Sequence, residues 1–452
     1  MKIIIAGCGK VGDAIIDFLS KEDHEITVID TKYDEVEQAV NNYDVIGVEG
    51  NAASYEVLMS AGADKADVFI VTTDSDELNL MACLVAKKLG AKNTLARVRN
   101  PEYANQIHFM RTEFGVDLMF NPEKAAAREI SRIIQFPAAL HSEHFAKGKV
   151  NLCEIAITKD SPLIDKPLSA LSSVTKAKVL ICAVKRQDKV IIPDGSFVLK
   201  EGDIIDVSAR FDQVNLFARD LKIITKKIKS AMIVGGGRIS FYLANILSFF
   251  NIDIKIIEKD EVKCRELAEL LPKATIIHGD GTDNDLLLEE GLEETDAIIS
   301  LTGIDEQNII ISLIANNYNV RKVISKVTRI SFMKMLPQLD LNCSIISPKY
   351  ISASHILQYV RGIQNSQGSN VEALHKIIDN QAEALQFIVK DSFEYKNIAL
   401  KDLKLKKGLL IAGIIRNNAV IHPDGNSFIA SGDRVIIVSS IEGLRDLKDI
   451  VE

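Results

Sequence analysis

Tryptophan is missing from this 452-residue chain, and aromatic residues together make up only 6% of it. That scarcity disfavours the stacking platforms on which single-stranded nucleic acid is held. No dense block of Lys or Arg occurs and the formal net charge is −8, so a broad nucleic-acid footprint is not expected. The most basic short stretch, TKKIKS (225–230), reads as a solvated linker. Apolar runs of 18 or more residues are lacking, so no segment is expected to span a bilayer as a helix. The amino terminus enters an apolar strand pattern at once, with one Lys and no cleavage-site pattern, and no signal peptide is expected. Six cysteines, at 8, 83, 153, 182, 264 and 343, share no C-x-x-C or metal-ligand spacing and read as reduced thiols of a cytosolic protein. The eight histidines show no metal spacing either; His141 and His144, three apart, read as surface residues.

What the chain does have is itself, twice. IIIAGCGKVG (3–12) aligns with AMIVGGGRIS (231–240), so Gly7 falls on Gly235 and Gly9 on Gly237. EITVID (25–30) aligns with DIKIIE (253–258), placing Asp30 on Glu258. VTTDSDELN (71–79) aligns with SLTGIDEQN (300–308), and ARVRNPEY (96–103) with SKVTRISF (325–332). Further on, LICAVKRQDKVIIPDGSFVLKEGDIIDVSA (180–209) aligns with LIAGIIRNNAVIHPDGNSFIASGDRVIIVS (410–439). The plan is A-B-A′-B′, with expected domains at 1–136, 137–226, 227–362 and 363–452.

The A units alternate short apolar strands, near 2–6, 25–30, 44–48, 67–72, 94–98 and 117–120, with helical patterns. The fold class expected is α/β: two Rossmann-like, doubly wound parallel-sheet domains, each followed by a small α+β domain. The B units carry strand patterns and the turn signals PDG, EGD and SGD, which predict a mostly antiparallel sheet with one helix at 210–220 or 440–449. The repeated PDG is a turn and nothing more. Segments 137–149 and 363–381 read as connectors. The helical patterns at 122–136 and 347–362 just before them are candidates for domain–domain interfaces.

GCGKVG (7–12) is G-x-G-x-x-G after a strand and opening a helix, with an acid, Asp30, at the end of the next strand. Gly7 permits the tight turn, Gly9 the approach of a pyrophosphate and Gly12 close helix–strand packing. The helix N-terminus supplies free N–H groups for phosphate. Asp30 accepts from ribose hydroxyls and repels a 2′-phosphate, which favours NAD over NADP. Asn51, Thr73, Asp74, Arg97 and Arg99 lie beyond other strand ends, where ligands bind in such sheets. An Arg there can hold a phosphate bidentately, although a structural ion pair is equally open for Arg97 and preferred for Arg99. In the second copy Ser240 stands at the third glycine, Glu258 replaces Asp30 and Lys326 replaces Arg97. That copy reads as a second nucleotide site, differing from the first in affinity or preference, ahead of the alternative of a vestigial, purely structural Rossmann unit. No His, Lys or Tyr in the B units forms a pattern suited to hydride transfer, so binding without chemistry, and hence sensing, is expected.

The loops with their acids, VTTDSDELN, ARVRNPEY and the doubled PDG segment resemble, over essentially the whole chain, the TrkA family. These are cytosolic nucleotide-binding subunits of bacterial Trk- and Ktr-type potassium uptake systems, built of RCK (KTN) and TrkA-C domains. The resemblance implies a non-enzymatic, peripheral protein on the cytosolic face of the inner membrane. It implies an RCK ring, a dimer or tetramer, docked on a TrkH- or TrkG-like potassium-translocating subunit. NAD(H), and ATP or ADP besides, are the ligands it implies. Contacts carry over to Gly7, Cys8, Gly9, Lys10, Val11, Gly12, Asp30, Asn51, Thr73, Asp74 and Arg97. In the second half they fall on Gly235, Gly237, Arg238, Ile239, Ser240, Glu258, Asp280, Thr302 and Lys326. Asn51, where the family often has an acid, and Ser240 depart from its pattern. An NAD-dependent oxidoreductase and a regulator of some other transporter stand as alternatives.

Overall fold

The computed structural model describes the chain apart from residues 101–102, 104–106, 136–140, 146–148, 188, 224–226, 336–342, 367–370, 379–380, 442–443 and 445. Two compact units emerge: Met1–Ile134 with Ile228–Leu357, and Gln135–Lys227 with Gln358–Glu452.

The first unit holds both Rossmann-like sheets. Strands β1 (Lys2–Ala6), β2 (Glu25–Asp30), β3 (Ile46–Glu49), β4 (Val68–Val71), β5 (Asn93–Arg97) and β6 (Leu118–Phe120) form one parallel sheet in the order β3-β2-β1-β4-β5-β6. Helices α1 (Lys10–Leu19), α2 (Tyr33–Asn42), α3 (Tyr55–Ser60), α4 (Asp76–Leu89), α5 (Ile107–Phe114) and α6 (Pro122–Gln135) intervene or follow. The central strands are apolar and buried on both faces, as a sheet covered by helices on each side requires. Strand β1 lies between β2 and β4, so the chain order reverses there and opens a crevice at the carboxyl ends.

After the first small domain the plan repeats. Strands β12 (Ser230–Val234), β13 (Asp253–Glu258), β14 (Ala274–His278), β15 (Ala297–Ser300), β16 (Lys322–Lys326) and β17 (Cys343–Ile346) run in the order β14-β13-β12-β15-β16-β17. Their helices are α8 (Arg238–Leu247), α9 (Glu261–Leu270), α10 (Asn284–Glu289), α11 (Asp305–Asn317), α12 (Ile330–Met335) and α13 (Pro348–Ser366).

The two halves of this unit exchange their last helices. The apolar face of α6, Ala126, Ala127, Ile130 and Ile134, is buried not under its own sheet but with Ile239, Tyr242, Leu243 and Leu247 of α8. Each buried Ile there contributes about 1.5–3 kcal/mol. The Tyr242 hydroxyl donates to Arg99 O at 3.0 Å and accepts from Asn121 Nδ2 at 3.2 Å, fixing the crossing. In return, the Tyr350 ring of α13 lies 5.9 Å from the Phe18 ring of α1.

The second unit holds two five-stranded antiparallel sheets. Strands β7 (His141–Phe145), β8 (Val150–Ala156), β9 (Leu180–Arg186), β10 (Lys189–Ile191) and β11 (Ile204–Ala209) make the first, in the order β10-β9-β11-β8-β7, with α7 (Phe211–Asp220) after it. Strands β18 (Val371–Ile377), β19 (Ala382–Ile388), β20 (Leu409–Arg416), β21 (Ala419–Ile421) and β22 (Arg434–Ser439) make the second with the same connectivity. One apolar core joins them, including Phe145, Leu152 and Cys182 from one domain and Ile377, Ala384 and Ile436 from the other. Ser208 Oγ donates across to Ala412 O at 2.7 Å, and Ile378 N to Glu154 Oε1 at 2.9 Å.

Two expectations need correcting. Segments 137–149 and 363–381 are not mere connectors, because His141–Phe145 and Val371–Ile377 are edge strands. His141–Phe145 is polar but for Phe145, and Val371–Ile377 follows the polar run QNSQGSN (364–370), so neither stood out; an edge strand need bury only some of its residues, here Phe145, Val371 and Ile377 among them. The helix expected at 210–220 is α7, whereas in 440–449 the described residues form a 3-10 turn at Leu447–Ile450. The side chains of His141 and His144 lie outside the described residues, as do positions 136–137 and 226 of the expected domain limits. Among the described residues no helix is long and apolar enough to cross a membrane.

Candidate functional site

Each glycine loop joins the central strand to the helix behind it. Gly7 and Gly235 take φ of +95° and +99°, a region that disfavours side chains. Gly9 and Gly237 cap α1 and α8 in extended conformation, with no side-chain capping bond. A Cβ added at either would meet nothing within 4 Å. The protein's own packing therefore does not demand glycine at these caps. The open space lies over the unsatisfied N–H groups of a helix start, where an anion is stabilised.

The third glycine is explained differently in the two copies. A Cβ on Gly12 would fall 1.8 Å from the Gly7 carbonyl oxygen, which Thr72 Oγ1 holds by a 2.9 Å hydrogen bond. In the second copy Leu301 stands where Thr72 does and has no hydroxyl. There Ser240, fully buried, donates its own Oγ to Gly235 O. The loop carbonyl keeps a hydroxyl partner in both halves, supplied from the strand end in one and from the helix in the other. Ser240 is thus an exchange compensated at the hydrogen bond, and Gly235 keeps the positive φ of Gly7.

Both acids reach their loops. Asp30 accepts from Cys8 N at 2.7 Å and Lys32 N at 3.0 Å; Glu258 accepts from Gly236 N at 2.6 Å and Asp260 N at 2.8 Å. The longer Glu258 has a consequence at Gly236, where a Cβ would lie 2.5 Å from Leu267 Cδ1 and 3.0 Å from Glu258 Oε2. Cys8 occupies that position in the first loop. Burial, with Asp30 beside it, pushes its thiol up to about 12, so it is an inert filler at neutral pH. Asn51 closes a local turn by accepting from Ala53 N at 2.9 Å. Its counterpart Asp280 accepts from Thr282 and pairs with Lys259 at 2.7 Å; the Lys259 bond above all holds its carboxyl down to about 2.

Thr73, Asp74 and Arg97 gather at the ends of β4 and β5, but they are engaged with each other. Arg97 Nη2 bonds Thr73 O and pairs with Asp74 Oδ1 at 3.0 Å. Arg99 donates to Asp74 O at 2.5 Å. A phosphate at Arg97 must share the guanidinium with Asp74, whose carboxylate is fully exposed. In the second half Gly303 replaces Asp74, and Lys326 Nζ reaches Leu301 O at 3.4 Å. Burial lowers the Lys326 pKa.

Two positioning residues in each half were visible in the repeat without an assigned role. Asn79, fully buried, accepts from Thr73 N and Oγ1 and donates to Thr73 O and Arg97 O. Asn308 makes the same four bonds with Thr302 and Lys326. Asp76 accepts from Arg99 N and Asn100 N, and Asp305 from Thr328 N and Arg329 N. These side chains lock the strand ends that carry Arg97 and Lys326. Asp and Asn three residues apart at a helix start, repeated in both halves, were the sequence signal for them.

Between the two loops lies a cavity of about 330 Å³, lined from both halves. Its charged walls are Lys10, Arg97, Arg238, Lys326 and Lys349, against one carboxylate, Glu123. Glu123 Oε2 is buried without a hydrogen-bond partner. Such a cluster of cations beside two helix N-termini suits an anion. Among the described residues no group of three or more His, Cys, Asp or Glu is placed to hold a metal ion.

The TrkA-N domain family matches residues 3–122 and 231–348, and the TrkA-C domain family 152–222 and 385–452. The chain is 32% identical over 451 residues to the Trk system potassium uptake protein TrkA homolog 1 of Methanosarcina mazei, covering 97% of each chain. It is 31% identical over 459 residues to the Trk system potassium uptake protein TrkA of Haemophilus influenzae, covering 100% of this chain and 97% of that one. Among solved structures, the GsuK RCK domain superposes with a TM-score of 0.62 at 16% identity, covering 97% of this chain and 92% of that one. The GsuK channel bound to NAD gives 0.63 at 17% identity, covering 97% and 76%. These structural likenesses bear on the fold alone. With both domain families present twice and relatives matched from end to end, the chain belongs to the TrkA family.

Proposed function

We propose that this chain is a nucleotide-sensing regulatory subunit of a potassium uptake system. It binds NAD(H), and ATP or ADP, and gates a TrkH- or TrkG-like potassium-translocating subunit from the cytosolic face of the membrane. The observation that carries this reading is the duplicated loop whose cap glycine leaves unfilled space over a helix N-terminus, with both loops opening on one cationic cavity. The named relatives of TrkA type, and the NAD-bound GsuK channel sharing the fold, support it. No catalysis is part of it. The charged groups at the loops are ribose acceptors, phosphate cations and their ion-pair partners, an arrangement for binding rather than proton transfer.

The exchange of α6 and α13 supplies the coupling. Because each half's last helix is packed on the other half, a nucleotide seated on one loop acts on the relation between the halves. Any difference in its affinity for two such arrangements shifts their balance and can be passed to a partner. Several chains joined as a homo-oligomeric RCK ring, a dimer or tetramer, would sum these shifts. Co-reconstitution with the translocating subunit in vesicles tests the reading. Rubidium uptake is expected to change several-fold on adding NADH or ATP, and Asp30→Ala is expected to blunt the response. Uptake indifferent to every nucleotide, by a complex shown to be assembled, contradicts it.

A further inference from the structure

The two halves line the shared cavity with one charge reversed. Two positions in the cavity wall are matched between the halves: Lys10 with Arg238 and Arg97 with Lys326 are cation for cation. The third is inverted, because Glu123, one residue into α6, corresponds to Lys349, one residue into α13.

The helix exchange decides which loop each of these residues serves. Helix α6 lies on α8, with Lys124 Nζ 5.9 Å above the Tyr242 ring and Asn121 on the Tyr242 hydroxyl, so Glu123 is delivered to the helix headed by the second loop. Helix α13 meets α1 through Tyr350 and Phe18, so Lys349 is delivered to the helix headed by the first loop. Phosphates on the first loop would then extend toward cations of the opposite half, Arg238 and Lys349, and those on the second toward Lys10 and the carboxylate of Glu123, which also acts on Arg97 and Lys326 across the shared cavity.

We infer that the Glu123/Lys349 inversion sets the number of phosphates each loop accepts: the first loop is the nucleoside triphosphate site, and the second is biased to diphosphate-bearing ligands such as ADP or a dinucleotide. The inference rests on the nucleotide-binding reading above. A third phosphate adds charge on the cavity side, where a cation attracts it and a carboxylate repels it. Glu123 Oε2 accepts no hydrogen bond, so no donor offsets its charge toward an incoming anion.

Calorimetric titration of the full chain tests it, with Glu258→Ala used to isolate the first loop and Asp30→Ala the second. ATP is expected to bind better than ADP at the first loop and no better at the second. Lys349→Glu is expected to lower ATP affinity at the first loop about tenfold with a smaller effect on ADP, and Glu123→Lys to raise ATP affinity at the second loop by a similar factor. The neutral variants Lys349→Met and Glu123→Gln should move in the same directions by less, without the risk a reversed charge poses to folding. Equal ATP-to-ADP ratios at the two loops, unmoved by any of these substitutions, overturn the inference and leave nucleotide binding intact. Absence of binding by ADP, ATP and NADH alike in the unaltered chain removes the reading beneath it.

Discussion

Gly12→Ser should abolish nucleotide binding at the first loop, although serine is what the second loop carries at the same position. The reason is steric and local. A Cβ at residue 12 sits 1.8 Å from the Gly7 carbonyl oxygen and 3.1 Å from Thr72 Oγ1. Relieving that overlap displaces the Gly7–Gly9 turn, costs about 3 kcal/mol as severe overpacking, and misplaces the N–H groups meant for phosphate. Calorimetry on the variant should show loss of one class of sites, with the class that depends on Glu258 intact. Adding Thr72→Leu recreates the second copy's solution, in which the serine hydroxyl becomes the partner of the loop carbonyl. That double variant should regain part of the affinity. Equal loss in the single and double variants would mean that the two loops differ by more than this exchange.

Asp203→Ala should be among the most destabilising single changes in the small domains. Asp203 is 1% exposed and accepts from Arg186 Nε at 2.8 Å, Arg186 Nη2 at 2.7 Å and Lys200 N at 2.8 Å. The same guanidinium stacks on Phe197, 4.9 Å from the ring centroid. Arg416, Asp433 and Phe428 repeat the arrangement, with a ring distance of 4.4 Å. Truncation leaves Arg186 without its buried partner and Lys200 N without an acceptor, a loss of about 3 kcal/mol. In a scanning calorimeter the transition of the small-domain unit should fall by roughly 6–12 °C, with nucleotide affinity at the loops little changed. Asp433→Ala should do the same. A shift below about 2 °C would show that neighbouring groups re-satisfy the guanidinium.

The doubled plan, the two parallel sheets and most strand positions could be read from spacing, because buried parallel strands are continuous apolar runs separated by helical periodicity. The repeated PDG segments declared turns, and their meaning lay next to them: the Arg, Phe and Asp that recur around each turn form the ion pair just described. Less could be seen where meaning depends on a partner distant in sequence. The stripe of Ala126, Ala127, Ile130 and Ile134 announces a buried helix face but not that the covering side chains belong to residues 239–247. Ser240 reads from the sequence only as a departure from the glycine pattern; its role shows beside Leu301, which lacks the hydroxyl that Ser240 supplies. Arg97 and Asp74 were both proper phosphate-site residues by position, yet nothing in their spacing told that they pair with each other. The edge strand at 141–145 carries the polar residues that a sheet margin permits, and that at 371–377 follows a polar run that read as a linker.

Titration of the unaltered chain with NADH, NAD, ATP and ADP, repeated on Asp30→Ala and Glu258→Ala, tests the central claim that both loops are working sensors. Saturable binding to the unaltered chain, with each variant losing a different class of sites, is the predicted result. Binding that survives both substitutions unchanged, or no binding by any of the four ligands, would contradict it and leave the paired Rossmann halves as assembly modules.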